Sequence, residues 1–301
     1  MAERKRIRNI PRSIRRRLRE FLISTILPSL AVYKLNAVNR SSTASIIAPG
    51  GPEVSITTYG RRFQSVHLTI ESIGLGTLLP SRIVLWLDKT ELYEALPAPL
   101  LRLQKRGLEV LLSKDYGSHT KYYPYVSTRR RFYVPMVTAD DDQLYSRLWL
   151  SKLVEANRAF PDCVNAHLAK RIQIRDGAID EYATWKICTA TTARFSHIAL
   201  GVSGVIYPPG MLAALENAGT DFFKCCPKAD DLWLHVQAVR AGFKVRQIAA
   251  RPMHFLQIPG SQVQALWRDN CAGAGNDGQI RATYTEREIA IFLEEAGPEV
   301  H

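Results

Sequence analysis

Short apolar segments of strand-like composition alternate with segments of helical spacing along the first half of the chain. The strand-like segments are "EVSITTY", "RIVLWLD", "LEVLLS" and "RFYVPMVTA", which begin at residues 53, 82, 108 and 131. Between them, "RRFQSVHLTIESIGLG" and "LPAPLLRLQKRG" have the apolar spacing of helices and end at glycines. Strands that alternate with helices indicate a parallel α/β sheet. With 301 residues, 46% of them hydrophobic, the chain is long enough to bury the core of one large domain or two small ones.

Three consecutive aspartates, Asp140, Asp141 and Asp142, directly follow the fourth apolar segment. In a parallel α/β sheet the ligand crevice lies at the carboxyl ends of the strands, so these carboxylates are candidate site residues. An extended chain places Asp140 and Asp142 on one side and Asp141 on the other. A divalent cation would relieve their repulsion, and Mg²⁺ or Mn²⁺ prefers oxygen ligands. The alternative is a solvated acidic turn that caps a helix formed by "DQLYSRLWLSKLVEAN".

The segment "VTADDDQLY" resembles the DxD motif of GT-A glycosyltransferases, in the form found in bacterial enzymes similar to family 2. Three further segments agree in order. "VSITTYGRR" resembles the first strand and nucleotide-binding turn, "GVSGVIYPPGML" the acceptor-side segment, and "ADDLWLHVQAVRAGFKV" the later acidic motif with its helix. The resemblance covers residues 53–245. It implies a GT-A-like α/β fold with a mostly parallel central sheet, and transfer of a sugar from a nucleotide-sugar donor.

The resemblance also implies a metal site. Asp140 corresponds to the carboxylate near the donor nucleoside, Asp142 to the metal ligand, and Asp141 adds charge. Mn²⁺ or Mg²⁺ would bridge the donor diphosphate and stabilise the departing nucleotide as a Lewis acid. His254 stands where some of these enzymes supply a third metal ligand, although a single histidine after a strand is more often structural.

Donor binding is expected from residues at the strand ends and in the turns that follow them. By the resemblance these residues are Thr57, Tyr59, Arg61 and Asp88, and ordinary strand-end and turn chemistry is the alternative. Lys121 lies in "KDYGSHTKYYPYV", before the aspartates, where its compact positive charge could reach the diphosphate. A surface lysine on a tyrosine-packed helix is the alternative for this residue.

Two aspartates at the start of a predicted helix supply the candidate catalytic base. In an inverting enzyme of this fold an acid here deprotonates the acceptor hydroxyl. The resemblance assigns this role to Asp231, and Asp230 would orient the acceptor or act as the N-cap. The family often has Glu before Asp, so the division of labour between the two stays open. Gly204 and Trp233 are the predicted acceptor-binding positions.

The N-terminal segment is strongly basic. Nine of the first nineteen residues are Lys or Arg, in a chain whose formal net charge is +12. The apolar run "EFLISTILPSLAVYKL" that follows is interrupted by Pro28 and is shorter than the roughly 20 residues of a spanning helix. An interfacial segment on an anionic membrane is the leading interpretation, and a helix that docks on the main domain is the alternative. A nucleic-acid partner is not predicted, since no binding motif accompanies the arm.

These observations predict three parts: a basic arm over 1–45, a GT-A-like catalytic domain over 46–270, and a C-terminal loop and helix over 271–301. Five cysteines without a CxxC pair favour reduced thiols in a cytoplasmic protein on the inner face of the membrane. The expected function is metal-dependent sugar transfer to a glycan or lipid-linked acceptor in cell-surface polysaccharide synthesis, with inversion. A catalytically silent sugar- or nucleotide-binding scaffold is the rival, because fold alone does not establish activity.

Overall fold

A computed structural model of the chain describes residues 22–261 and 275–296. The basic residues of the predicted arm, within 1–21, therefore lie outside the described residues. The helices are α1 Leu27–Ser41, α2 Val66–Gly74, α3 Thr90–Glu94, α4 Ala98–Gln104, α5 Tyr123–Ser127, α6 Trp149–Ala159, α7 Pro209–Ala218, α8 Phe222–Cys225, α9 Asp230–Arg240, α10 Gly275–Thr283 and α11 Glu286–Ala296. The strands are β1 Glu53–Thr57, β2 Arg82–Leu87, β3 Leu108–Leu112, β4 Met136–Ala139, β5 Gln143–Leu144, β6 Cys163–Ala166, β7 Ala169–Arg171, β8 Ile174–Arg175, β9 Ala178–Ile179, β10 Lys186–Ile187, β11 His197–Ala199, β12 Val205–Tyr207, β13 Lys244–Gln247 and β14 Leu256–Gln257.

The centre of the fold is a seven-stranded sheet in the order β13-β6-β12-β4-β1-β2-β3. Val54 of β1 lies opposite Ile83 of β2 and Val137 of β4, and both pairs are parallel. The strand β12 runs antiparallel to its neighbours β4 and β6, while β13 pairs in parallel with β6. The predicted fold class, a mostly parallel sheet flanked by helices, is confirmed.

The central strands are apolar on both faces because helices cover both faces of the sheet. In β2, Ile83 and Leu85 pack in one buried cluster with α2 and α4, whereas Val84 and Trp86 pack in the other, with α7 and α9. This alternation is the period of a β-strand, and continuous apolar runs are typical of parallel strands that are buried on both sides.

The segment around the three aspartates differs from the sequence prediction. The strand β4 begins at Met136 rather than at residue 131, because Pro135 has no N–H to donate to a neighbouring strand. The predicted helix begins only at Trp149, because Gln143–Leu144 forms β5, which pairs antiparallel with β14. The interpretation of the aspartates as a solvated helix cap is therefore wrong: Asp141 is 4% exposed and Asp142 is 3% exposed.

Helix α1 docks on the domain through a buried polar network. The Asn39 side chain donates from Nδ2 to Glu71 Oε1 over 2.8 Å, and Arg106 Nη1 donates to the same oxygen over 2.6 Å. Arg102 Nε donates to Asn39 Oδ1 over 2.9 Å. Because Glu71 and Asn39 are almost completely buried, their polar groups need these partners, and the network fixes the position of α1 on α2 and α4.

The other side of the N-terminal helical segment carries exposed apolar residues. We call them the apolar stripe; they are Leu22, Ile26, Leu27, Leu30 and Tyr33. Leu22, Ile26, Leu30 and Tyr33 follow one another at spacings of four, four and three residues, which places them on one face beside Leu27, and Leu30 and Tyr33 are 60% and 75% exposed. In the part of the chain that the structure describes, no helix has the length and apolar character needed to cross a membrane.

Two helices, α10 and α11, lie in the C-terminal region and pack against α9. The segment "GNDGQI", residues 275–280, forms the first part of α10. Glu288 of α11 accepts a charged hydrogen bond of 2.9 Å from Arg240 Nε at the end of α9. The C-terminal helices are thus attached to the helix that begins with Asp230 and Asp231.

Candidate functional site

A cavity of about 360 Å³ opens at the carboxyl ends of β1 and β4. The parallel register pairs Ile56 with Ala139, so the next residues, Thr57 and Asp140, lie side by side at this edge. Eight predicted site residues line the cavity: Thr57, Tyr59, Lys121, Asp140, Asp141, Asp142, Asp230 and Asp231. They come from four separate parts of the chain, and the fold brings them to one place.

The acidic triplet is held by Arg62 and Thr58. Asp141 accepts hydrogen bonds from Thr58 Oγ1 over 2.6 Å and from Arg62 Nη1 over 2.9 Å. Arg62 Nη2 lies 3.0 Å from Asp142 Oδ2, so one guanidinium spans both carboxylates. Strict alternation predicts that Asp141 faces away from Asp142. The chain instead turns after Asp140, which ends the extended conformation on which that prediction depends.

Lys121 lies between the acidic triplet and the acidic pair Asp230 and Asp231. Its Nζ lies 2.5 Å from Asp140 Oδ1 and 3.6 Å from Asp230 Oδ2. The lysine ends the 3₁₀ helix Gly117–Lys121, and its carbonyl accepts a 2.7 Å hydrogen bond from Ser55 Oγ of β1. It is therefore a fixed part of the cavity wall and not a surface lysine.

Asp231 is positioned by a backbone amide. Its Oδ1 accepts a hydrogen bond of 3.0 Å from the N–H of Gly201. A Cβ at position 201 would come within 3.1 Å of that oxygen and 3.2 Å of Lys121 Nζ, so glycine permits this close approach. Helix α9 starts at Asp230, and its N-cap residue is Ala229, so the N-cap role considered for Asp230 belongs to a neighbour.

The carboxylates of the cavity are desolvated. Burial and the adjacent Asp230 charge raise the pKa of Asp231 well above its ordinary value, against the opposing effect of Lys121. Burial raises the pKa of Asp141 to about 6, although Arg62 and Thr58 act in the other direction. Burial and the charge of Asp140 also raise the pKa of Asp142. Clustered carboxylates of raised pKa are stabilised by added positive charge, which is the electrostatic character of a cation-binding site.

Positive side chains offset part of this charge. Three basic residues line the cavity, Arg62, Lys121 and Lys228, against five aspartates. The fully ionised cavity therefore carries two net negative charges. Burial lowers the pKa of Lys121, but the carboxylates of Asp140, Asp230 and Asp231 outweigh burial and hold it well above the ordinary value, so this lysine stays protonated.

The remaining five predicted residues do not line the cavity. Arg61 is exposed, and its neighbour Arg62 makes the contacts with the aspartates. Asp88 is half-buried at the end of β2, and His254 is exposed after β13. The roles predicted for these residues in donor and metal binding stay predictions.

The two predicted acceptor-binding residues have packing roles in the described structure. Trp233 is 2% exposed and lies in the core, with its ring centroid 6.1 Å from that of Phe222. Gly204 has a positive φ of 94°, and a Cβ there would approach Trp149 Nε1 to 2.4 Å. Glycine is needed at 204 because Trp149 packs directly against the backbone.

Several cavity residues were missed by the sequence analysis. Arg62 had a signal, since it stands beside Arg61 in the turn after β1, and Gly201 is part of the "GVSG" segment. Asn276 is part of the glycine-containing segment "GNDGQI", whereas Tyr182 had no signal, because it reaches the cavity only through tertiary packing. The N–H of Tyr182 donates to Asp277 Oδ1 over 2.8 Å, which links this wall to the start of α10.

Asp140 and Asp142 are the residues that could hold a divalent cation. Their oxygens are hard ligands of the kind that Mg²⁺ and Mn²⁺ prefer. Among residues 22–261 and 275–296, no three His, Cys, Asp or Glu side chains converge as a ready metal cage. A magnesium-type site commonly uses one or two carboxylates and completes its shell with substrate phosphates. The residues present fit a cation of that kind.

Of the comparisons with known proteins, the one with solved structures found proteins similar to this chain. No protein-family model matches the chain, and no curated protein matches its sequence. Among solved structures, a mannosyltransferase, PcManGT from Pyrobaculum calidifontis in complex with GDP-Man and Mn²⁺, aligns with a TM-score of 0.52 at 14% identity, covering 93% of this chain and 79% of that chain.

Two nucleotidyltransferase structures align less closely. A CMP:2-keto-3-deoxy-manno-octonic acid synthetase complexed with CTP has a TM-score of 0.38 at 10% identity, covering 65% of this chain and 88% of that chain. The inositol-1-phosphate CTP transferase from T. maritima has a TM-score of 0.37 at 12% identity, covering 74% and 98%. The similarity to the mannosyltransferase establishes the fold, which is a GT-A-like α/β sheet.

Proposed function

We propose that this protein is a metal-dependent glycosyltransferase that uses a nucleotide-sugar donor. The observation that carries the proposal is the meeting of Asp140, Asp142 and Asp231 in one cavity, around Lys121, at the carboxyl edge of the sheet. The first two carboxylates suit a cation shared with a diphosphate, and the third suits removal of a proton. A protein of similar fold is described in complex with GDP-Man and Mn²⁺.

On the donor side, Asp140 and Asp142 would hold Mn²⁺ or Mg²⁺. The cation, when bound, offsets negative charge on the departing nucleoside diphosphate. Thr57 and Tyr59, at the end of β1, would border the nucleoside. Arg62 fixes the two buried carboxylates Asp141 and Asp142, so that the acidic turn keeps its shape as ligands enter and leave.

On the acceptor side, Asp231 would act as general base. The N–H of Gly201 holds one carboxylate oxygen, and the other oxygen would accept the proton of the acceptor hydroxyl. Asp231 takes the hydroxyl proton while the acceptor oxygen bonds to the anomeric carbon. The bond from that carbon to the diphosphate oxygen breaks, and the nucleoside diphosphate leaves with the electron pair. A single displacement of this kind inverts the anomeric configuration.

One observation favours a second candidate, a sugar- or nucleotide-binding scaffold without catalysis. Every carboxylate of the triplet already contacts a protein cation, Arg62 or Lys121. A silent module would be stable in this state without a metal. A scaffold, however, gives no reason to hold Asp231 at the cavity wall on the amide of Gly201, and we therefore prefer the enzyme.

We further propose that the protein works on the surface of an anionic membrane, on a glycan or lipid-linked acceptor of polysaccharide synthesis. Two features support this. The first 21 residues carry the concentrated positive charge, and the apolar stripe follows them on a helix whose other face is fixed to the domain. A basic segment next to exposed apolar side chains is the composition of an interfacial anchor.

A nucleotide-sugar panel with and without Mn²⁺ tests the proposed function. A donor at 100 times its dissociation constant should stabilise the protein by about 2.7 kcal/mol, seen as a higher melting temperature only when Mn²⁺ is present. Mass spectrometry should then detect sugar transfer to an acceptor glycan or lipid. Metal-dependent stabilisation without transfer or donor hydrolysis favours the scaffold, and stabilisation that is the same without Mn²⁺ contradicts the metal assignment.

A further inference from the structure

The ammonium of Lys121 occupies the place where a cation would bind Asp140. Its Nζ lies 2.5 Å from Asp140 Oδ1, at charge-assisted hydrogen-bond distance. A divalent cation that binds this oxygen of Asp140 must therefore displace the lysine, since two positive charges cannot share one carboxylate oxygen at such distances.

A second acceptor lies beside the lysine. Asp230 Oδ2 is 3.6 Å from Lys121 Nζ, which is beyond a hydrogen bond. This oxygen is buried and has no hydrogen-bond partner among the described residues. A buried carboxylate oxygen without a partner is costly, so it provides a site that the ammonium can occupy. A shift of about 0.8 Å would bring the lysine to the usual charged hydrogen-bond distance of roughly 2.8 Å.

We propose that Lys121 is a two-position switch: a divalent cation takes Asp140, and the displaced ammonium moves onto Asp230. The inference rests on the proposed function, since it uses the same metal site. It assigns Asp230 a role that capping does not explain, that of receiving the lysine. When a cation binds on the donor side, the ammonium of Lys121 would then move towards the acceptor side of the cavity, beside Asp231.

The proposal makes two opposite predictions for Mn²⁺ affinity in the absence of any nucleotide. Lys121→Met keeps the length and volume of the side chain but removes the competing charge, so Mn²⁺ should bind more tightly. Asp230→Asn removes the carboxylate that receives the ammonium, so Mn²⁺ should bind more weakly. Each effect should be at least about fivefold, the low end of usual coupling between two ligands.

A matched control is Lys228→Met. This lysine also lines the cavity, and the ion pair with Asp140 described above is formed by Lys121. Lys228→Met therefore reports how removal of a positive charge from another part of the cavity wall changes Mn²⁺ affinity. The double variant, Lys121→Met with Asp230→Asn, completes a double-mutant cycle. Because this variant has no lysine to move, adding Asp230→Asn to Lys121→Met should change Mn²⁺ affinity little.

The experiment measures Mn²⁺ affinity by electron paramagnetic resonance and by calorimetry, on the full chain, with folding checked by circular dichroism. If Lys121→Met misfolds, Lys121→Gln replaces it. Tighter binding in Lys121→Met than in Lys228→Met, with weaker binding in Asp230→Asn, supports the switch. Two results overturn the switch but leave the metal site in place. One is equal Mn²⁺ affinity in the two lysine variants; the other is an effect of Asp230→Asn on Mn²⁺ affinity that is the same with and without Lys121→Met. Mn²⁺ that binds neither the wild type nor Lys121→Met, even when a nucleoside diphosphate is added, overturns both the switch and the metal site.

Discussion

The two acidic regions of the cavity differ in how firmly their charges are paired. On the donor side, Asp140, Asp141 and Asp142 each contact a protein cation, and the pairs involving Arg62 are almost completely buried. On the acceptor side, among the described residues, Asp231 accepts a hydrogen bond from one backbone amide, and the ammonium of Lys121 lies 3.6 Å from Asp230.

We propose that this difference separates a binding region from a reacting region. Carboxylates fixed by a bidentate guanidinium keep their geometry, which suits a site that positions a cation and a diphosphate. A carboxylate with few partners and a raised pKa has greater affinity for a proton, which suits a general base. The predictions below test this separation, from the largest expected effect on transfer to the smallest.

The largest effect is expected from Asp142→Ala on the donor side. It should abolish Mn²⁺-dependent donor binding, because the cation loses one of two carboxylate ligands. Without that charge the leaving diphosphate is poorly stabilised, and turnover should fall by about 10³-fold or more. Calorimetry with the donor nucleotide and Mn²⁺ measures the first effect. Asp162→Ala, which removes an exposed carboxylate directly before β6, is the control, and donor affinity equal in both variants would break the donor-side assignment.

Asp231→Asn should give the opposite combination of effects. Donor affinity should stay within about a few fold, because the amide is nearly isosteric and does not contact the acidic triplet. Transfer should fall by roughly 10²–10⁴-fold, the usual contribution of a positioned base. Asp230→Asn should reduce transfer less. Proton NMR of the product from an α-linked donor should show a β linkage, and an α linkage would rule out single-displacement inversion.

The sequence identified the acidic residues and the sheet because both depend on local composition. Apolar runs of strand length predicted β1 to β4, and the polar residues that follow them predicted the edge that binds ligands. The resemblance added Asp230 and Asp231, which the fold then brought to the same cavity as Asp140.

The pairing of the charges was outside the reach of sequence analysis. The contact between Arg62 and Asp141 joins residues 79 positions apart, and the orientation of the acidic turn depends on the pairing of β5 with β14. Such contacts depend on tertiary packing, which leaves no periodic pattern. For the same reason the sequence indicated neither the contacts of Arg62 with the aspartates nor the burial of Trp233 in the core.

The pH dependence of transfer sharpens the comparison further. The base must be ionised to accept a proton, so transfer should rise with pH, by about tenfold per unit below the raised pKa of Asp231. Because the charge of Asp230 contributes to that raised pKa, Asp230→Asn should shift the midpoint to lower pH. The pH profiles of kcat/KM for Asp230→Asn and the wild type measure this shift of the midpoint. A midpoint that Asp230→Asn does not lower would show that another group limits the rate.

The smallest effect on transfer is expected outside the cavity, at the N-terminus. Deleting residues 1–21 should remove salt-sensitive binding to anionic vesicles, because each Lys or Arg near such a surface contributes about 1 kcal/mol. The double substitution Leu30→Ser and Tyr33→Ser on the apolar stripe should remove the salt-resistant part of the binding instead, since insertion of these side chains is hydrophobic. Tyr133→Ser, which replaces an exposed tyrosine in the loop before β4, is the matched control.

Both N-terminal changes leave Asn39 and its network intact, so α1 stays docked and the cavity keeps its geometry. Transfer to a soluble acceptor should therefore remain within about twofold of the wild type, whereas transfer to a vesicle-bound acceptor should fall with the membrane affinity. Vesicle co-sedimentation at low and high salt separates the two contributions. If co-sedimentation persists when the arm and the stripe are both changed, the membrane contact lies elsewhere. If transfer to the soluble acceptor also collapses, α1 supports the donor and acceptor sides of the cavity directly, and the two regions are not independent of the N-terminus.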